Sequence, residues 1–300
     1  MRGDLLKLPS FAKINLTLRI LGRRPDGYHE VATVLQSISL CDELVFEARD
    51  DDRIVLTCDD PSIPVGESNL IVRAALALQA KRGVDIRLAK KIPAKGGLGG
   101  GSSNAAITLL ALNRLWHLNR EGDLRQIGAQ LGADVPFFLS GGTAIGTGTG
   151  ARLEEVRDAR KQWLLIVTPN ASVATATAYA ALNAPSLTSS DSVSILSSSF
   201  TEPFSSDSSQ WPLHNDFEGV IFEREPEIRR AKEALLAAGA QNALLAGSGS
   251  SVFGIFNDAA ARDQALDNLR SEVGWRVFAC HTLSRSEYLQ AMSRQSDTGA

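Results

Sequence analysis

Pro93-Ala94-Lys95-Gly96-Gly97-Leu98-Gly99-Gly100-Gly101-Ser102-Ser103-Asn104-Ala105 sits between a strand and a helix, and that placement settles its chemistry. Upstream, Val84, Ile86 and Leu88 alternate with charged residues, the period of a strand. Downstream, Ile107, Leu110, Ala111, Leu115 and Leu118 recur at helical spacing. Glycine admits positive φ and lets the backbone approach a ligand closely. Successive N–H groups can then point inward as an anion nest. A helix starting near Ser102 adds unpaired N–H groups and the positive end of its dipole. Together these make a phosphate cradle. Gly96 and Gly101 have the Walker spacing, but Ser102 stands where that loop requires lysine. The dinucleotide fingerprint is also missing its glycine spacing and its acidic residue.

Further from the loop, Ala12, Ile14, Leu16, Leu18 and Ile20 alternate with Lys13, Asn15, Thr17 and Arg19, which predicts a half-buried strand. Pro25-Asp26-Gly27 is a turn signal, and Val31 to Leu40 reads as extended. Leu44–Ala48 and Ile54–Thr57 bracket Asp50-Asp51-Asp52, which reads as a solvated hairpin tip. A helix is expected over 69–81. Another is expected from the N-cap Asp123 to the stop Gly132. Gly141 to Gly150 reads as a turn between strands, and Trp163–Thr168 as a buried strand. The serine-rich stretch around 186–210 reads as a flexible surface loop. Beyond it come a helix from Arg224 to about Ala238, strands at 243–245 and 252–256, a helix at 258–269 and a strand at 275–280. Strands and helices mix without strict alternation, so the class is α+β rather than a doubly wound sheet. A boundary near Asp158 divides the chain into 1–158 and 159–300.

Composition narrows the function classes. With 300 residues, 44% hydrophobic and 22% charged, the chain has the profile of a soluble globular protein. A net charge of −3 supplies no basic field, so no nucleic-acid partner is expected. The residues Met1–Ser10 lack an apolar signal-peptide core, and no apolar run approaches the roughly eighteen residues of a membrane span. Cys41, Cys58 and Cys280 lie far apart without metal-ligand spacing, as expected of reduced thiols in the cytoplasm. His117, His214 and His281 have no partners at ligand spacing and read as packing or surface residues, so no protein metal site is expected.

The glycine stretch resembles the signature of the GHMP kinases, the superfamily of galactokinase, homoserine kinase, mevalonate kinase and phosphomevalonate kinase. Further segments resemble the branch that phosphorylates a cytidine-diphosphate-linked methylerythritol. They are Ala12-Lys13-Ile14-Asn15-Leu16, Arg24-Pro25-Asp26-Gly27-Tyr28-His29, Gly132-Ala133-Asp134-Val135-Pro136-Phe137, Asn215-Asp216-Phe217-Glu218 and Gly247-Ser248-Gly249-Ser250-Ser251-Val252-Phe253. The resemblance implies a two-lobed fold, with an N-terminal ATP-binding α/β lobe and a C-terminal ferredoxin-like α/β lobe. It implies ATP as donor, with Mg²⁺ carried on it, and a small-molecule acceptor. No membrane and no obligatory protein partner enter. Another GHMP small-alcohol kinase and a non-catalytic nucleotide-binding relative are the alternatives.

By the same resemblance, Asp134 is the base that takes the acceptor's proton, and Lys13 orients it and offsets charge on the phosphoryl group. Pro93, Ala94, Lys95, Gly96, Gly97, Leu98, Gly99, Gly100, Gly101, Ser102 and Ser103 hold the nucleotide, with Asn69 and Lys90 or Lys91 assisting. Lys95 either reaches a phosphate or points to solvent. Ser102 or Ser103 contacts Mg²⁺ or the β-phosphate. Asn15 and Thr175 contact the acceptor, and Tyr28 and His29 take its cytidine. Gly247 to Ser251 either packs near the phosphates or closes a plain hairpin.

Overall fold

The computed structural model describes residues 5–182, 184–186 and 212–293. The serine-rich stretch therefore lies outside the described residues apart from Ser186. Strand β1, Leu5–Arg23, runs antiparallel to β2, His29–Arg49, and the two carry the first sheet. Its order is β3-β4-β2-β1-β8, with β3 at Ile54–Cys58, β4 at Gly83–Ala89 and β8 at His214–Asn215. Strand β5, Thr143–Thr147, pairs with β2, and β6, Arg152–Glu155, pairs with β5. Helices α1, Leu70–Ala77, α2, Gly100–Leu115, and α3, Leu124–Leu131, pack with the sheet. A 3₁₀ turn, Val135–Leu139, follows. Leu8, Leu44, Phe46, Leu109, Phe137 and Phe138 form their common core.

The second sheet has the order β11-β7-β10-β9 and is antiparallel throughout. Its strands are Trp163–Pro169 (β7), Asn242–Leu245 (β9), Val252–Phe256 (β10) and Trp275–His281 (β11). Helices α6, Pro226–Ala237, and α7, Ala259–Leu269, give it the β-α-β-β-α-β succession of a ferredoxin-like unit. Two more helices precede α6: α4, Thr175–Ala181, and α5, Phe217–Arg224. The last helix, α8, Arg285–Ser293, turns back to the first core. There Tyr288 is fully buried and donates its hydroxyl hydrogen to the Phe138 carbonyl at 2.6 Å.

Several local expectations change. Strands β2 and β3 form no hairpin. The antiparallel strand β4 lies between them, pairing with β2 and running parallel to β3. Asp51 is no free tip residue, since it accepts from Arg49 at 2.7 Å and from Arg53 at 2.6 Å. The polar face of β1 is buried as well: Lys13, Asn15 and Thr17 are all nearly inaccessible. The 141–150 segment contains a strand of its own. The helix placed from Arg224 begins at Pro226, because Arg224 closes α5. Asp123 opens α3 without a side-chain cap bond and instead pairs with Arg120 at 2.9 Å. Helix α2 starts at Gly100, two residues before Ser102.

Candidate active site

The glycine loop is shaped by two left-handed glycines. Gly97 has φ of 76° and Gly99 has φ of 72°, conformations that L side chains rarely adopt. Space enforces the same choice. A Cβ on Gly97 would lie 1.8 Å from the Ala246 carbonyl oxygen, and one on Gly99 2.8 Å from the Phe138 ring. Helix α2 then begins, and its first-turn N–H groups have no preceding helical carbonyl to bond. They face a recess of 330 Å³ lined by Ile63, Asn69, Leu70, Lys90 and residues 93–102. Apolar walls at one end and open N–H groups at the other suit a nucleotide base and its phosphates.

The Gly247–Ser251 turn packs directly on this loop. Ser250 N–H donates to the Lys95 carbonyl at 3.3 Å and Ser251 N–H to the Gly96 carbonyl at 3.2 Å. The turn is held from behind by Asn215, whose amide donates to the carbonyls of Leu245 and Gly247, each at 2.8 Å. The Asn215–Glu218 segment thus acts at a distance, by fixing the turn that braces the loop. Of the histidines read as packing or surface residues, His214 bonds Asp216 at 2.6 Å and His281 meets Ser39 at 3.2 Å.

Where the loop meets β1, the Lys13 N–H donates to the Leu98 carbonyl at 3.0 Å. The Lys13 ammonium lies 3.5 Å from Asp134 Oδ2, with the lysine side chain 6% exposed and the aspartate 35%. Asp134 precedes the 3₁₀ turn yet makes no side-chain cap bond, so its carboxylate is not committed to the backbone. A capping or turn aspartate would be. Lys13 also donates to Asn15 Oδ1 at 2.8 Å. Lys13, Asn15, Asp134, Thr175, Tyr179, Gly97, Gly99 and Gly247 line one recess of 260 Å³, and Thr175 Oγ1 lies 3.2 Å from Ser248 Oγ.

Asp134 and Thr175 also line a larger cleft of 1320 Å³, with Tyr28, His29 and Ser102 on its walls. Tyr28 is 65% exposed, an open aromatic face. The His29 ring lies 4.8 Å from that of Tyr179, which packs edge-on against Phe217 at 4.9 Å. Tyr179 lies outside every motif in the sequence, and only its helical position beside Thr175 hinted at it. Burial, aided by the Asp134 charge, pushes its phenol up to about 12, so it stays neutral. Burial chiefly, and the Arg23 charge, hold His29 below its ordinary 6.5.

Some expected residues are committed elsewhere. Asn69 caps α1, accepting from Ile71 N–H at 2.9 Å and donating to the Pro64 carbonyl at 2.6 Å. Ser103 is fully buried and bonds Ser10 at 2.7 Å, so of the two serines Ser102 faces the cavities. Lys90 is 2.9 Å from the buried Asp42 and donates to the Ile92 carbonyl. Asp42 also accepts from the N–H groups of Lys91 and Ile92, at 2.8 Å each. That pair braces the approach to the loop. Lys95 is exposed, with φ of 57°. No three His, Cys, Asp or Glu groups converge as a metal site among the described residues, and none of their helices is long and apolar enough to cross a membrane.

Comparisons with known proteins agree with this arrangement. Residues 69–142 match the model of the GHMP kinases N terminal domain, and residues 205–274 that of GHMP kinases C terminal. The chain is 42% identical over 273 residues to a 4-diphosphocytidyl-2-C-methyl-D-erythritol kinase of Syntrophotalea carbinolica, covering 89% of this chain and 95% of that one. Identity to the kinase of the same name from Pseudomonas syringae pv. syringae is 45% over 264 residues, covering 86% and 88%. A crystal structure of 4-(cytidine 5'-diphospho)-2C-methyl-D-erythritol kinase superposes with a TM-score of 0.74 at 34% identity, over 92% of this chain and 99% of that one.

Proposed function

Since this chain belongs to the 4-diphosphocytidyl-2-C-methyl-D-erythritol kinase family within the GHMP kinases, we propose that its site moves the γ-phosphoryl group of ATP to the 2-hydroxyl of that cytidylated alcohol. The products are the 2-phosphate and ADP, in the non-mevalonate route to isopentenyl diphosphate. One observation carries the residue assignment. The uncommitted Asp134 carboxylate borders both the cleft that bears Tyr28 and His29 and the recess where Lys13 meets the glycine loop.

A tertiary hydroxyl is hindered and weakly nucleophilic, so positioning and proton removal matter most. Asp134 accepts the proton as the hydroxyl oxygen bonds the γ-phosphorus and the bond to the ADP oxygen breaks. Lys13, 3.5 Å away, orients that carboxylate and offsets charge on the phosphoryl oxygens. The N–H groups at the start of α2 hold the phosphates. Mg²⁺ carried on the nucleotide would neutralise phosphate charge, and Ser102, which lines the recess, is the loop hydroxyl that could help hold it. Tyr28 and Tyr179 offer faces for the cytosine, and His29 reads its edge. Thr175 hydrogen-bonds the acceptor. These roles suit a soluble enzyme of the cytoplasm that needs no protein partner.

A panel of acceptors tests this. Purified enzyme with labelled ATP should phosphorylate the cytidylated alcohol and leave mevalonate and homoserine unlabelled. Replacing Tyr28 and His29 with alanine should raise the KM for the cytidylated acceptor at least tenfold, with the KM for ATP unchanged. No product from that acceptor would overturn the proposal.

The state of His29 adds a pH dependence. Its lowered pKa keeps the ring neutral at pH 7, with one nitrogen as donor and the other as acceptor. Protonation, in a window below 6.5, removes the acceptor. The KM for the cytidylated acceptor should therefore rise severalfold as pH falls from 7 toward 5, and His29→Gln should flatten that rise. An equal rise in the variant would assign the effect to another group.

A further inference from the structure

Resting on the kinase reading above, the geometry points to Thr33 as a positioning residue that sets the direction in which Asn15 faces Lys13. Thr33 belongs to none of the motifs that mark the family, and it approaches neither the glycine loop nor Asp134 through a bond of its own.

Four buried groups form a chain of hydrogen bonds on the inner face of β1 and β2. The Thr33 hydroxyl donates to the Thr17 carbonyl at 2.8 Å. Asn15 Nδ2 donates to Thr33 Oγ1 at 2.7 Å. Lys13 Nζ donates to Asn15 Oδ1 at 2.8 Å. Lys13, Asn15 and Thr33 are each no more than 5% exposed and line the recess beside Asp134, and Thr17 is fully buried. The chain forms where the β1–β2 register slips between Asn15 and Thr17.

Its direction follows from counting hydrogens. A threonine hydroxyl has a single hydrogen, and here the Thr17 carbonyl takes it. Toward Asn15 the Thr33 oxygen can then only accept. The amide must present its NH₂ to Thr33 and its carbonyl oxygen to Lys13. Reversed, the amide would set its NH₂ against an ammonium, which has three donors and no acceptor. Packing keeps Thr33 in place, because its methyl carbon lies 3.0 Å from where a Cβ on Gly146 would be. A side chain at Gly146, across from it on β5, would crowd that methyl.

The consequence falls on Lys13. One of its three N–H groups is fixed on Asn15 and a second is directed at Asp134, 3.5 Å away, which leaves the third for the transferring phosphoryl group. The Asn15 amide, expected on the acceptor's hydroxyls, has its oxygen on Lys13 and one amide hydrogen on Thr33. These two bonds tie it to the ammonium, and its second amide hydrogen remains for the recess it lines with Asp134.

Steady-state kinetics of the full chain test this with Thr33→Val, which keeps the shape and removes the hydroxyl, and with Thr33→Ser, which keeps the hydroxyl. Thr33→Val should lower kcat about tenfold, with the KM for ATP and for the cytidylated acceptor within about twofold. Thr33→Ser should recover kcat to within about threefold of wild type. Unchanged kcat in Thr33→Val would overturn the assignment. So would equal losses in both variants, which would mean that the shape of the side chain matters and not its hydroxyl. A raised acceptor KM at constant kcat would place Asn15 on the substrate instead. If Thr33→Val does not fold, Thr33→Ala supplies the same comparison with Thr33→Ser. Failure of the kinase reading itself is distinct, since the wild-type enzyme would then make no product.

Discussion

Asp134→Asn should lower kcat about a thousandfold while acceptor and ATP affinities stay within a few-fold. The substitution keeps volume and shape and removes the proton acceptor, an effect worth about 10²–10⁴ in rate for a general base. The structure supplies the reason to expect the loss in rate rather than in folding. The carboxylate makes no cap bond, so no helix end depends on it, and stability should barely move. Its partner is Lys13 at 3.5 Å, and an asparagine there leaves the ammonium with Asn15 Oδ1 still in place. Lys13→Met should lower kcat by a comparable factor. The double variant should be little worse than either single one, because the two groups act as a unit. Steady-state kinetics with calorimetric acceptor binding separate these outcomes. Turnover within threefold of wild type in Asp134→Asn would remove it as the base.

The ease with which parts of this molecule could be read in the sequence follows the range of the interactions that make them. The strand before the glycine loop and the helix behind it rest on local periodicity; the strand stands where the pattern put it, and the helix starts two residues before Ser102 and ends at Leu115, short of Leu118. The three-aspartate segment misled because local order suggests that successive strands pair. Here β3 pairs parallel with β4, which requires a crossover through α1, and no residue near Asp51 encodes that. The face of β1 that bears Lys13, Asn15 and Thr17 has the polar alternation of a solvated strand. Its burial comes from the glycine loop and the Gly247 turn, both distant in the chain.

The candidate site divides along the same line. Asp134, Lys13, Tyr28 and His29 lie in short distinctive segments and could be named as a set. The recess and the cleft that share Asp134 had to be seen in three dimensions. Tyr179, tilted 4.8 Å from the His29 ring, belongs to no motif, and its place one helical turn from Thr175 is the single hint of it among its neighbours. Ser103 has a residue type suited to a nucleotide yet is buried on Ser10, while Asn69 and Lys90 cap α1 and pair with Asp42 and also line the recess at the glycine loop. Residue type shows what a side chain can do, and its partners decide which of those things it does.

Gly97→Ala should be the most damaging single-methyl change in the glycine loop, costing about 3 kcal/mol of stability and abolishing measurable ATP binding. Two effects add. An alanine at φ of 76° is strained by roughly 1–2 kcal/mol. Its Cβ would also lie 1.8 Å from the Ala246 carbonyl oxygen and 2.8 Å from the carbonyl carbon, and neither backbone atom can rotate away as a side chain would. The loop must separate from the Gly247 turn, which breaks the bonds from Ser250 and Ser251 to Lys95 and Gly96 and takes the phosphate N–H groups out of register. Gly101→Ala is the control for stability. It lies inside α2, where its Cβ would meet only Leu70 Cδ1 at 3.7 Å, an ordinary contact. Alanine there should stabilise the helix by up to about 1 kcal/mol. Thermal melts should put Gly97→Ala roughly 5–10 °C below wild type and Gly101→Ala at or above it. Equal melting temperatures for the two would mean that the close approach of loop and turn is not what requires glycine at 97.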